Sequence, residues 1–319
     1  MDIPVLSEEI YYTYILPHIV SQPMKLLDWI NIDELYWSGL SANINAIDLL
    51  KENTDYLDWK ILSKNPGAIE LLIVNQDKID YTMLSLNPHP DAIKLLKSTL
   101  RQYPNKIDWN VLPNNTSPEI ISLLRDNMDM ICWESLSENP NAIELLKENM
   151  DKINWEWFSN NPHPEAIRIL KENPDKIYYY MLSSNSNPEA VKLLKSAFEL
   201  NPDKINWCML SFNNNTDALE LFKQKKDSIN WSLLSLNKSA IHILKENIDM
   251  ISWQSLSHNH SPDAISLLKE NIDMIDWRLF SMNPNIFEID HVKWRENMEE
   301  YYHKYIEISQ IKIDYVGRC

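Results

Sequence analysis

An aromatic residue, followed at +3 by Leu or Phe and at +6 by Asn, recurs eleven times along the chain, and that recurrence limits the folds open to it. The aromatics are Trp37, Trp59, Tyr81, Trp109, Trp133, Trp155, Tyr179, Trp207, Trp231, Trp253 and Trp277. The asparagines are Asn43, Asn65, Asn87, Asn115, Asn139, Asn161, Asn185, Asn213, Asn237, Asn259 and Asn283. Position +4 is Ser in every copy except one, where it is Pro113, and position −2 is always Ile or Leu. A unit of 22–28 residues repeated in this way is the signature of stacked supersecondary units.

One copy reads as two short helices. In Ile153-Asn154-Trp155, Asn154 is a good N-cap, and Ile153 and Phe158 have the spacing of a hydrophobic staple. Asp58, Asp80, Asp108, Asn206, Asn230, Ser252 and Asp276 occupy the capping place in other copies. This first helix is only five to seven residues long and partly 3₁₀ in expectation. A second, longer helix opens at a proline, as at Pro140, Pro164 and Pro118, where proline loses no helical hydrogen bond. It continues as Ala142-Ile143-Glu144-Leu145-Leu146-Lys147, with its apolar residues on one face. It ends near Asn149 or Asn173, residues that tolerate a left-handed cap. Helices this short do not offset their nucleation cost alone, so neighbouring copies must bury each other's apolar faces. The expected fold is therefore all-α: a superhelical α-solenoid of eleven two-helix repeats over residues 35–284, with helical caps over 1–34 and 285–319.

The spacings between successive aromatics run 22, 22, 28, 24, 22, 24, 28, 24, 22 and 24. Two blocks of 98 residues, starting at Tyr81 and Tyr179, repeat the same series, which indicates tandem duplication of four repeats. The 28-residue spacings predict second helices one turn longer, through Gln102 and Leu200. Amphipathic helices are expected over Ser7 to Val20, with Ile10, Tyr11, Tyr14 and Ile15 inward, and over Asp290 to Ile308, with Trp294, Met298, Tyr301, Tyr302 and Tyr305.

Composition then removes function classes. Only Gly39, Gly67 and Gly317 are glycines, so phosphate-cradling loops, dinucleotide turns and nucleophile elbows cannot form in their standard versions. No catalytic residues stand out and no cofactor is expected; the chain reads as a non-enzyme. The net charge of −16 repels phosphate backbones and anionic membranes, so neither nucleic acid nor membrane is an expected partner. Cys132, Cys208 and Cys319 lie in no metal pattern, and a sparse, odd set fits a reducing compartment. The first twenty residues lack a basic start followed by an apolar run, so the chain is not expected to be secreted. No metal site is expected: His258, His260 and Asp263 have loose ligand-like spacing, as do His89 and His163, but no third or fourth ligand is evident.

The consensus Ile-Asp-Trp-x-x-Leu-Ser-x-Asn-Pro-x-Ala-Ile-x-Leu-Leu-Lys-Glu-Asn resembles uncharacterised repeat proteins of giant DNA viruses of protists, over about Leu35 to Asn283. The Asn-Pro-x-Ala-Ile element is also similar to leucine-rich variant repeats, which alternate α and 3₁₀ helices. Neither resemblance implies an activity. The first implies a viral protein acting inside an infected cell, in host cytoplasm or virion. Ile3-Pro4 and Leu6-Ser7-Glu8-Glu9-Ile10 resemble the start of an F-box, which implies an adaptor for host ubiquitin ligases.

The aromatic column reads as core rather than a base-stacking ladder, because stacking proteins pair aromatics with a basic groove. Trp157, at +2, reads as core as well. The asparagine column reads as a structural ladder bonding backbone groups of adjacent coils. Asn115, Asn237 and Asn259 also lie in glycosylation sequons, a use that the ladder role opposes. Function then falls to columns where copies differ. At +1 these include Lys60, Asn110, Glu134, Glu156, Tyr180, Gln254 and Arg278, a candidate partner surface. The variable position of the second helix, such as Glu70, Lys94 and Arg168, is the other such column. The expected function is a repeat scaffold for a host or viral protein partner, with a virion structural component and the ubiquitin-ligase adaptor as alternatives.

Overall fold

In a computed structural model, which describes Tyr12 and residues 16–316, the chain is an all-α repeat solenoid with a single two-stranded ribbon. It divides into two units: the repeats, Asn31–Asn285, and a unit made of both ends, Met1–Ile30 with Ile286–Cys319.

Each repeat begins at its aromatic. The first helix is α-helical, as in Trp59–Lys64, Trp133–Glu138 and the shorter Trp155–Phe158. The fourth repeat alone takes the 3₁₀ form, Leu112–Asn114, because Pro113 has no N–H to return to the turn before it. The predicted caps act: Asp58 accepts from Ile61 N, Asp80 from Met83 N, Asn206 from Met209 N and Asp276 from Leu279 N.

How the second helix starts explains the spacing. Where Asn is followed by Pro-x-Ala, a 3₁₀ turn such as Pro140–Ala142 leads into Ile143–Glu148. Where two residues are inserted, as in Asn161-Pro162-His163-Pro164, the helix begins directly as Pro164–Glu172. His163 and His89 then serve as N-caps, their Nδ1 atoms accepting from Glu165 N and Asp91 N at 3.1 Å. The two long spacings give the longest second helices, Pro90–Gln102 and Pro188–Leu200.

The expected left-handed cap is absent: no described residue has positive φ. Asn149 instead sits at φ −135° and its side-chain amide donates to Leu145 O, four residues back, at 2.9 Å. Asn75, Asn173 and Asn271 do the same to Leu71, Ile169 and Leu267. An extra 3₁₀ turn, Met150–Lys152 in this copy, then carries the chain to the next repeat.

Burial follows the columns. Every +3 residue, Leu40 through Phe280, is fully buried, as are the +4 serines. The alanine of the second helix, Ala142 or Ala166, is equally buried, and the −2 residue Ile153 is nearly so. Truncating one such leucine to alanine costs about 2–5 kcal/mol in a packed core.

The buried polar groups of the asparagine and serine columns are used within the stack. Asn161 donates through Nδ2 to Ser137 O and Asn139 O of the preceding repeat, at 3.0 and 3.1 Å. Its Oδ1 accepts from His163 N at 3.0 Å. The buried serine works in parallel: Ser137 Oγ donates to Trp133 O and accepts from Asn154 N of the next repeat. The fifth repeat loses the second of these bonds, since Pro113 offers Cys132 no hydroxyl.

The same bonds close the stack on itself. Asn43 of the first repeat donates to Ser281 O and Asn283 O of the eleventh, at 3.1 and 2.8 Å. Tyr36 N donates to Ser281 Oγ at 2.8 Å, and Asn45 Nδ2 to Pro284 O at 2.9 Å. The first and last repeats therefore meet as any two neighbours do. Gly39 permits this approach: a Cβ there would stand 2.6 Å from Ser281 Cβ and 3.0 Å from Arg278 O.

These bonds leave neither end of the repeat array free. The two terminal segments form one unit. In it β1 (Met24–Leu26) pairs antiparallel with β2 (Phe287–Ile289), Leu26 opposite Phe287. The C-terminal helix is longer than expected, His291–Val316, with Trp294 Nε1 donating to Val20 O. Met298 and Tyr302 are half-buried and Tyr301 exposed. The N-terminal helix is described only as Leu16–Ile19. The inward positions assigned to Ile10, Tyr11, Tyr14 and Ile15, and the F-box-like stretch from Ile3 to Ile10, lie outside the described residues. Among the described residues no helix is long and apolar enough to cross a membrane.

Asn161→Ala removes the amide bonds to Ser137 O and to Asn139 O, which keeps its bond from Ala142 N, and frees the His163 N–H, so a loss of about 2 kcal/mol or more is expected in urea unfolding; Asn141→Ala, at an exposed site, should cost under about 1 kcal/mol. Gly39→Leu should open the seam alone: hydrogen exchange speeds up at Tyr36 and Ser281 while the amides of Asn139 and Asn161 stay protected. Uniform protection in that variant contradicts the close approach assigned to Gly39.

Candidate functional site

The columns that repeat are chemically occupied, and any site falls to the columns that vary. All eleven ladder asparagines, Asn43 to Asn283, are buried, and each Oδ1 accepts a backbone N–H two residues on.

The aromatic column differs from its expected place in the core. Trp37, Trp59, Tyr81, Trp109, Trp133, Trp155, Tyr179, Trp207, Trp231, Trp253 and Trp277 are all half-buried. All but Trp109, which lies in the turn before Leu112–Asn114, open their first helix, a position between core and surface. Tyr56 stacks on Trp37 at 4.9 Å between centroids. Lys78, Lys106 and Lys204 place ammonium groups 4.4–4.8 Å from the ring centroids of Trp59, Tyr81 and Tyr179. These contacts occupy part of the rings of Trp37, Trp59, Tyr81 and Tyr179 from within the chain.

The +1 column is on the surface: Lys60, Asn110, Glu134, Glu156, Tyr180, Gln254 and Arg278 are all exposed. They are spread one per repeat, so the fold does not gather them into one site. The variable column of the second helix is also exposed, but much of it is engaged in ion pairs. Glu70 meets Lys51, Arg168 meets Glu165 and Glu172, and Lys192 meets Glu189. Glu165, held by Arg168 and then Lys147, and Glu189, held by Lys171 and Lys192, both titrate near 2 (lowered to about 2). These groups are exposed, so solvent screens the pairs and little stability rests on them.

The structure brings together a set that sequence reasoning did not single out. Positions +5 and +7 line a cleft of about 360 Å³ that crosses the fourth to seventh repeats. Its walls are Asn114, Glu138, Asn160 and Ser184 at +5, and Thr116, Pro140, Pro162 and Ser186 at +7, with Ser135 and Asn139 beside them. Within it Asn160 Nδ2 donates to Glu138 Oε1 at 2.6 Å, and Ser184 Oγ donates to Asn160 Oδ1 at 2.9 Å. A relay thus links three repeats. At its edge Trp157 Nε1 donates to Glu134 Oε1 at 2.9 Å. Trp157, expected in the core, is half-buried, because its indole N–H reaches the preceding repeat's carboxylate.

The same two columns carry different chemistry farther along. Phe212 and Ile44 are exposed there, and the tenth repeat supplies His258 and His260, whose rings stand 5.0 Å apart, edge to face. His258 Nδ1 is buried and has no hydrogen-bond partner. Partial desolvation, then the His258 ring and the Lys238 ammonium, hold His260 below the ordinary histidine pKa. Among the described residues no three or more His, Cys, Asp or Glu side chains converge as metal ligands. Cys208 is exposed and accepts from Asn230 Nδ2 at 3.0 Å, while Cys132 Sγ lies 3.5 Å from Ser135 Oγ. Cys319 is outside the described residues.

Fold and site together define a closed α-solenoid with a polar cleft on its variable columns. No family model, no curated protein and no solved structure matches this chain.

The depressed pKa of His260 has a signed consequence. Between its folded value and the ordinary value near 6.5, the unfolded chain binds the proton better, so acidification through that window lowers stability. Denaturant midpoints should fall from pH 7.5 to pH 5, and His260→Gln should reduce that fall. An unchanged pH dependence in the variant counts against the assignment.

Proposed function

We propose that the chain is a non-enzymatic scaffold that binds another protein through the variable columns of its repeats. The observation that carries this reading is the division of labour between columns. The repeated polar residues are spent on one another, whereas the exposed +1 column and the +5/+7 cleft differ from copy to copy. Solenoids that hold one set of columns constant are free to vary the rest for recognition. The viral setting implied by the repeat's resemblance makes a host or viral protein the partner, met inside the infected cell.

The test is site-specific photocrosslinking of the full chain in the cells in which it is made. A crosslinker at Thr116 or Tyr180 should capture one discrete protein species. The same group at Ser122 or Ser266, on the second-helix column, should not. Equal, diffuse labelling from all four positions is the outcome that rejects the scaffold reading.

A further inference from the structure

The cleft over the fourth to seventh repeats combines three properties. It runs along the stacking direction, so its polar groups recur once per repeat. The amide of Asn114 and the hydroxyls of Thr116 and Ser186 are exposed, and none is tied to a protein partner. Its one ionisable wall residue is Glu138. Asn160 holds one oxygen of that carboxylate in place, and no lysine or arginine neutralises it. On the second helices, several glutamates, Glu70, Glu144, Glu148, Glu165 and Glu189, do have cationic partners.

We infer that this cleft receives an extended segment of a partner protein carrying an arginine or lysine, with Glu138 as the acceptor of its charge. This rests on the scaffold reading above and adds the chemistry of the partner. An extended chain offers N–H and C=O groups in alternation, about every 3.3 Å along its length. Amide and hydroxyl side chains that both donate and accept suit such a ligand. The carboxylate, already oriented by Asn160, supplies a charge-assisted bond at one point along it, which sets register. The net charge of −16 draws a basic segment toward the surface, and Glu138 decides where it stops.

The experiment uses the full chain and fluorescence anisotropy at about 150 mM salt, where long-range attraction is screened within about 8 Å. The probe is a fluorescein-labelled peptide of about twelve Gly, Ser and Thr residues with two central arginines. A second probe has glutamine at both arginine positions. The arginine peptide should bind saturably, and Glu138→Gln, which keeps the Asn160 bond, should weaken it by about tenfold or more. Glu270→Gln, an exposed acid far along the stack, should leave binding unchanged. Equal binding of the glutamine peptide, equal weakening by Glu270→Gln, or no saturable binding would each overturn the inference. Crosslinks from Thr116 or Tyr180 that persist undiminished in Glu138→Gln protein would leave the scaffold standing and remove only this assignment.

Discussion

Everything in the repeat unit depends on one amide. The +6 asparagine is buried at the junction of two helices and two repeats, where main-chain groups would otherwise go unpaired. Its Nδ2 satisfies two carbonyls of the repeat before, and its Oδ1 satisfies one N–H of its own turn. A buried polar group without partners costs more than a paired one contributes, so the site tolerates no halfway substitute. Aspartate would lack the donors, and serine would lack the reach. The requirement applies at every rung, which is why the residue does not vary.

Because the rung bonds backward by one repeat, the ladder is directional and its ends are the places of cost. An open stack must leave the first repeat's amide and the last repeat's carbonyls to solvent. In this protein Asn43 takes up the carbonyls of Ser281 and Asn283, so no rung is terminal. Gly39 is the local concession that lets the helices meet closely enough. The pairing of β1 with β2 holds the chain's two ends in one unit. It does so through backbone bonds that make few demands on side chains.

Occupied columns leave function to the remainder. The surface divides into second helices laced by ion pairs, a rim of half-covered aromatics, and the +5/+7 columns. The exposed +1 column and the +5/+7 columns hold polar side chains that no ion pair neutralises, such as Glu134 and Glu138. The chemistry of the +5/+7 columns changes along the stack, from hydroxyl, amide and carboxylate near Glu138 to a histidine pair at His258 and His260. A repeated scaffold can carry such a gradient because its stability is vested in other columns.

The repeat, its two helices, the N-caps at Asp58 or Asn206 and the asparagine ladder were legible in the sequence, since each follows from chemistry within about ten residues or from strict recurrence. The aromatic column is not the core that its recurrence predicts: recurrence marks a residue as structural, but these rings are half-buried. The second asparagine role, closing helices at Asn149 or Asn173 by a bond four residues back, was read as a left-handed cap, because sequence does not distinguish one stop from the other. The cleft was missed for a different reason. Asn114, Glu138, Asn160 and Ser184 follow no constant residue type and lie 22–24 residues apart, so no motif connects them. What the sequence alone determined is the unit and its stacking, because those are local and repeated eleven times. What only the tertiary structure decided is closure and the cleft. Both depend on the rotation between neighbouring repeats, a small angle set by all the packing contacts together, whose sum brings Asn43 back to Asn283 and lines the +5 residues of four repeats along one groove.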